Sequence, residues 1–158
     1  MSRFVLLDNT VLSNFAQAQI VSAVFSLWGN QICTTSEVSA EYAVGVITAS
    51  LPRSAWKDLK VIEQTEEEKS FGLSLSARLG AGERSCLAIA CKRGAIFATD
   101  DLFARETAKQ YQISVIGTIG ILVQCARKKV LTHSQAQNTL DLMITNGYHS
   151  PIDDLSSL

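Results

Sequence analysis

Arg3-Phe4-Val5-Leu6-Leu7-Asp8-Asn9-Thr10 carries the pattern on which the fold turns. Arg3 to Leu7 is a short, essentially continuous apolar run, and Asp8-Asn9-Thr10 stops it abruptly. Such a run, with no polar alternation, predicts a strand buried on both faces, as strands inside a parallel sheet are. The same design returns at Ala95 to Thr99, which ends at Asp100-Asp101. Two buried strands, each followed by acid, set the frame for the rest of the chain.

Helical spacing fills the intervals. Val11 to Trp28 predicts a helix in two pieces, closed by Gly29, and Gln31 to Thr34 a second strand. Thr34 and Glu37 have the spacing of a capping box, opening a helix over Thr35 to Ile47. Leu51 to Ala55 is a connection and Leu59 to Ile62 a short edge strand; Thr65 and Glu68 repeat the capping-box spacing for a helix to Arg78. Leu79-Gly80-Ala81-Gly82 breaks it, Glu83 to Lys92 is helical again, and Gly94 terminates it. Leu102 to Tyr111 reads as an amphipathic helix, Ile113 to Ile116 as a strand, and Thr118 to Lys129 and Ser134 to Thr145 as helices, the last with Thr132 and Gln135 as a capping pair. Strands alternating with helices predict an α/β fold of three layers, α/β/α, around a mainly parallel sheet.

The 158 residues, 47% of them hydrophobic with 9 Gly and 2 Pro, are those of one globular domain spanning 1–158. The net charge of -1 excludes nucleic-acid coating by bulk phosphate neutralisation, so any such contact is local. Ile113 to Ala126 is too polar and too short to cross a membrane, and Met1 to Leu7 is too brief for a signal peptide, which together predict a cytoplasmic protein without membrane partners. Cys33, Cys86, Cys91 and Cys125 form no C-x-x-C pair and read as reduced core thiols.

In a parallel sheet the functional edge lies at the carboxyl ends of the strands. Asp8 and Asp100-Asp101 fall at two such ends, Glu41 in the helix after the second strand, and Glu83 at a helix start. Carboxylates converging there repel, and either protonation or a cation relieves them. A hard divalent ion, Mg²⁺ or Mn²⁺, suits all-oxygen ligands. It lowers the pKa of bound water and stabilises a leaving oxygen, which is what phosphodiester hydrolysis needs.

Four ordered segments resemble PIN domains. Val5-Leu6-Leu7-Asp8-Asn9-Thr10-Val11-Leu12-Ser13-Asn14 is similar to their opening strand and Asp, and Thr34-Thr35-Ser36-Glu37-Val38-Ser39-Ala40-Glu41-Tyr42 to their second motif, with the match on Glu41. Leu79-Gly80-Ala81-Gly82-Glu83-Arg84 resembles the third motif of a prokaryotic, VapC-like branch, and Phe97-Ala98-Thr99-Asp100-Asp101 with Arg105 the fourth. The resemblance implies a metal-dependent ribonuclease, often the toxin of a toxin-antitoxin pair, that dimerises and is occluded by a small antitoxin. It implies catalytic roles for Asp8, Glu41, Glu83 and Asp101, and metal ligation by Asp8, Asp101 and Glu83, with Asp100 open as the alternative to Asp101. One or two metals stay equally open, because Glu83 stands where many PIN domains have Asp.

Simpler readings stand beside these. Asp8, Asp100 and Asp101 can cap helices, and Asp101 can pair with Arg105 one turn on. Thr10 and Thr99 can satisfy backbone donors or fix a carboxylate rotamer, and Arg105 can orient acids or meet phosphate. Arg78 and Arg84 flank Glu83 and are the candidate RNA contacts. Asp8 with Thr10 also looks like the opening of haloacid-dehalogenase-type phosphatases, but Thr10 occupies the general acid's position. A non-catalytic nucleic-acid or protein binding domain is the remaining alternative.

Overall fold

The computed structural model describes residues 3–158. Its sheet comprises β1 (Val5–Leu7), β2 (Ile32–Thr35), β3 (Lys60–Ile62), β4 (Ile96–Ala98) and β5 (Val115–Ile116), in the order β3-β2-β1-β4-β5, with every neighbouring pair parallel. Eight α-helices flank it: α1 (Asn9–Gln17), α2 (Val21–Trp28), α3 (Ser36–Thr48), α4 (Glu66–Ser74), α5 (Ala81–Arg93), α6 (Leu102–Gln110), α7 (Thr118–Arg127) and α8 (His133–Thr145). The three-layer arrangement is the one the alternation predicted. The chain steps outward from β1 to β3, then returns to the other side of β1 for β4 and β5. Winding therefore reverses between β1 and β4, and ligands of open parallel sheets bind outside the strand ends at such a reversal.

Burial explains why the elements sit where they do. Val5, Leu6 and Leu7 are all buried, as a central strand requires, whereas Lys60 and Val61 of the edge strand β3 are exposed. Helix α5 touches β1, β2 and β4 on one side and α3 and α4 on the other, and Ser85 to Ala90 are buried without interruption. Its Gly, Ser, Cys and Ala residues let it approach the sheet closely along that stretch, with its charged residues confined to the two ends. Across the sheet, α1 and α2 join α7 and α8 around Phe15, Leu12, Ile121 and Leu122. All four cysteines are free. Among the described residues no single helix is long and apolar enough to cross a membrane.

Of the boundaries that differ from expectation, three have a clear physical cause. The Thr34–Glu37 capping box is not formed: Thr34 lies inside β2 and donates its hydroxyl to Leu7 O at 2.7 Å, while Thr35 caps α3 by accepting from Val38 N at 3.1 Å. The strand runs one residue further than predicted and claims the first of two adjacent threonines. Helix α4 ends at Ser74 rather than Arg78, because Leu75 turns to extended geometry (ψ 165°) and is buried. Helix α5 starts at Ala81, capped by Gly80, which makes Glu83 its third residue. The capping boxes at Thr65–Glu68 and Thr132–Gln135 and the caps at Gly29 and Gly94 form as read.

Candidate active site

Register alone brings the first two groups together. Leu7 pairs with Ala98, so the next residues, Asp8 and Thr99, lie side by side at the ends of β1 and β4, and Asp8 N donates to Ala98 O at 2.9 Å. Asp8 is 2% exposed; its Oδ1 accepts from Asn9 N at 2.8 Å and its Oδ2 from the Thr99 hydroxyl at 2.6 Å. The same Thr99 oxygen accepts from Asp101 N at 3.2 Å. Asp101 caps α6 through Ala104 N at 2.8 Å. Asp8 and Asp101 thus cap α1 and α6 from the same sheet edge, joined through Thr99.

Glu41 arrives from the other side. Its Oε1 accepts from Gly82 N at 2.8 Å, bridging α3 to the first turn of α5. A Cβ at position 82 would collide with that carboxylate, so the close approach requires glycine. Below it, the Thr35 and Ser85 hydroxyls meet at 2.7 Å, and Ser85 donates onward to Gly82 O at 2.7 Å. This hydroxyl relay fixes α3 against α5 and hence Glu41 against Glu83.

The four carboxylates act on one another. Burial, with smaller contributions from the charges of Glu41 and Asp101, pushes Asp8 up to about 6 against the hydrogen bonds from Thr99 and Asn9. Burial and then the charges of Asp101, Asp8 and Glu41 push Glu83 up to about 7. Two carboxyls raised by burial and by like charges in one pocket are what a candidate functional cluster of acids shows.

The family model DUF3368, described as a PIN domain, matches residues 4–157. The chain belongs to the PIN-domain family. No curated protein matches it. PIN domains are generally nucleases, hydrolases that typically use divalent metals, and the acidic edge lies where the sheet reversal puts a PIN domain's ligand crevice.

Around this PIN-domain edge the remaining candidates take different stations. Asp100 turns away from the four acids: its Oδ1 accepts from Thr118 N at 2.8 Å, and its Oδ2 from the Thr118 hydroxyl at 2.5 Å and Asn14 Nδ2 at 3.2 Å. It anchors α7 to α1. Thr10 accepts from Asp100 N at 3.2 Å and so holds the strand-end turn. Arg105 makes no ion pair with Asp101; its Nη1 donates to Thr99 O at 2.9 Å. Arg78 is exposed and stacks over the Phe103 ring, 4.1 Å from its centroid. Arg84 is half-buried, with Nη2 3.5 Å from Ser76 O and a buried Nε that has no partner.

Among the described residues, no three acids, histidines or cysteines are already closed around an ion position. The donor set nevertheless fits Mg²⁺ or Mn²⁺, which bind through one or two carboxylates and retained waters rather than a full protein cage. The donors are oxygen only, and the adjacent Cys86 thiol, buried and facing Asp8's charge, is pushed well up and stays protonated. Sequence reasoning missed Gly82, Ser85, Asn14, Thr118 and Tyr148 as supports. The Gly-Glu pairing at 82–83 was visible as a break; its need for close approach to Glu41 was not.

Proposed function

We propose that the chain is a Mg²⁺- or Mn²⁺-dependent endoribonuclease, acting in the cytoplasm as the toxin of a toxin-antitoxin pair. The observation that carries this reading is the delivery of Asp8, Glu41, Glu83 and Asp101 by four separate elements to one sheet edge, where burial and the neighbouring charges raise the Asp8 and Glu83 carboxyls. Asp8 and Asp101 would be the principal metal ligands, with Glu83 and Glu41 completing the pocket. A bound divalent ion supplies Lewis acidity there, activating water and neutralising charge on the phosphate. Thr99 holds the Asp8 carboxylate in one rotamer, so the ligand oxygen is oriented in advance. Glu83, poised near neutrality, is the carboxylate able to take a proton from the attacking water. Arg78 and Arg84 border Glu83 and would neutralise flanking phosphates.

A fluorogenic RNA assayed with Mn²⁺ and with EDTA, beside a phosphatase substrate, tests the reading. Metal-dependent RNA cleavage that Asp8→Asn abolishes, at matched circular dichroism, is the expected result; retained activity in that variant sinks the mechanism. Thr10, which holds the Asp100 amide, leaves a phosphatase without its second acid. RNA, a second copy of the chain and a small antitoxin are the partners this reading brings, and a neighbouring reading frame for a small protein would support the last.

A further inference from the structure

Leu102 opens α6 directly after Asp101, one of the four acids, yet it is 76% exposed. It lines two clefts at once, of about 600 and 640 Å³, which also share Asp100, Tyr148 and His149. The clefts are therefore two halves of one groove, with Leu102 as the ridge between them. Phe103 lies in the half that reaches α1, and Ile119 and Arg105 in the half that reaches α7. Asp100, the one carboxylate of the α7 half, is held by Thr118 and Asn14, whereas Arg105 makes no ion pair among the described residues. That half is thus suited to an anion with an apolar body. An exposed leucine by itself signifies nothing; the place of this one, beside Asp101 and between two clefts, does.

We propose that Leu102 is a wedge that parts the two bases flanking the cleaved phosphodiester, with one nucleotide in each cleft; the inference rests on the nuclease reading above and names how that site receives RNA. Consecutive Cα atoms are only about 3.8 Å apart, so a strand whose phosphate lies at Asp101 passes over Leu102. An apolar side chain offers nothing to phosphate and meets instead the face of a base. Apolar side chains that enter a base step unstack it and kink the strand. Here the kink turns the neighbouring nucleotides into the clefts, towards the Phe103 ring on one side and the Arg105 guanidinium on the other. Parting costs least where a base is already unpaired, so the wedge selects single-stranded over duplex RNA.

The test uses the whole protein and an RNA decamer of adenosine alternating with 2-aminopurine, a base whose fluorescence rises when it unstacks, so every step carries a probe. Binding is followed by anisotropy and by that fluorescence in Ca²⁺. Cleavage is followed in Mn²⁺, on a mixed-sequence RNA free or annealed to its complement. Wild type is expected to raise the fluorescence about twofold at saturation and to cut the free strand about tenfold faster than the annealed one. Leu102→Ala, at matched circular dichroism, should bind about tenfold more weakly, as loss of one base contact does, and give no rise at saturation; Leu102→Met should restore it. A wild type that binds no RNA, binds without the rise, or cuts free and annealed strands alike overturns the proposal, as does a rise that Leu102→Ala keeps. A rise that depends on Leu102, with no Mn²⁺-dependent cleavage, keeps the wedge and sinks the nuclease; Mn²⁺-dependent cleavage without the rise does the reverse.

Discussion

One hydroxyl serves two acids. Thr99 donates to Asp8 and accepts from the amide of Asp101, so Thr99→Val removes both supports without changing the size of the side chain. We expect Mn²⁺-dependent cleavage to fall about 10- to 100-fold, as the loss of an outer partner of a metal ligand does, and Thr99→Ser to keep most of it. Mn²⁺ titrations of activity on the three proteins decide this. Gly82→Ala separates position from stability. The new methyl displaces only the flexible end of Glu41, and alanine is the better helix residue, so the thermal midpoint should hold or rise slightly while cleavage drops on the order of 100-fold. A variant as active as wild type would show that Glu41 does not need its perch on α5. The doubled acid at 100–101 illustrates what residue types alone leave open. Both follow a strand and both could cap a helix; only the turn, with Thr10 taking the Asp100 amide, decides that Asp101 joins Asp8 while Asp100 braces Thr118.

Among elements, the capping signals were legible because their chemistry is local. Thr65 with Glu68 and Thr132 with Gln135 form reciprocal boxes, each within one helical turn. Thr132→Ala should cost about 1 kcal/mol in urea denaturation. The box expected at Thr34 failed for a non-local reason: its hydroxyl is captured by Leu7 O, 27 residues away in sequence, across the sheet. Strand existence and order of acids were readable from the apolar runs, since only a parallel sheet buries such runs on both faces. The meeting of Thr35 with Ser85 was not, because no spacing rule links the end of a strand to a helix 50 residues on. The same holds for the end of α4, where the burial of Leu75 rather than any local breaker stops the helix.

At the scale of the whole molecule, an ion pair between a buried carboxylate and a partly exposed arginine ties the ends of two helices. Glu68, 3% exposed at the start of α4, takes two 2.7 Å bonds from Arg93 at the end of α5, and Arg93 also reaches Glu63 O at 2.9 Å. The Arg93 hydrogen bonds hold the Glu68 carboxyl below its ordinary 4.5. A folded value below the unfolded one means stability that is fully present above about 4.5 and is lost as pH falls through the folded value. Glu68→Gln keeps the acceptor that Thr65 N needs but not the charge. Its unfolding free energy should therefore lie about 1.5–3 kcal/mol below wild type at pH 7, and the gap should narrow below pH 4.5. A gap that stays constant down to pH 3 would contradict the charge argument. The strand order has a wider consequence. Because winding reverses between β1 and β4, the acidic edge is built from the innermost strands, with β3 and β5 at the two margins of the sheet. Fraying at either margin would therefore leave intact the β1–β4 pairing that sets Asp8 beside Thr99, so amide protons of that pair should be the slowest to exchange.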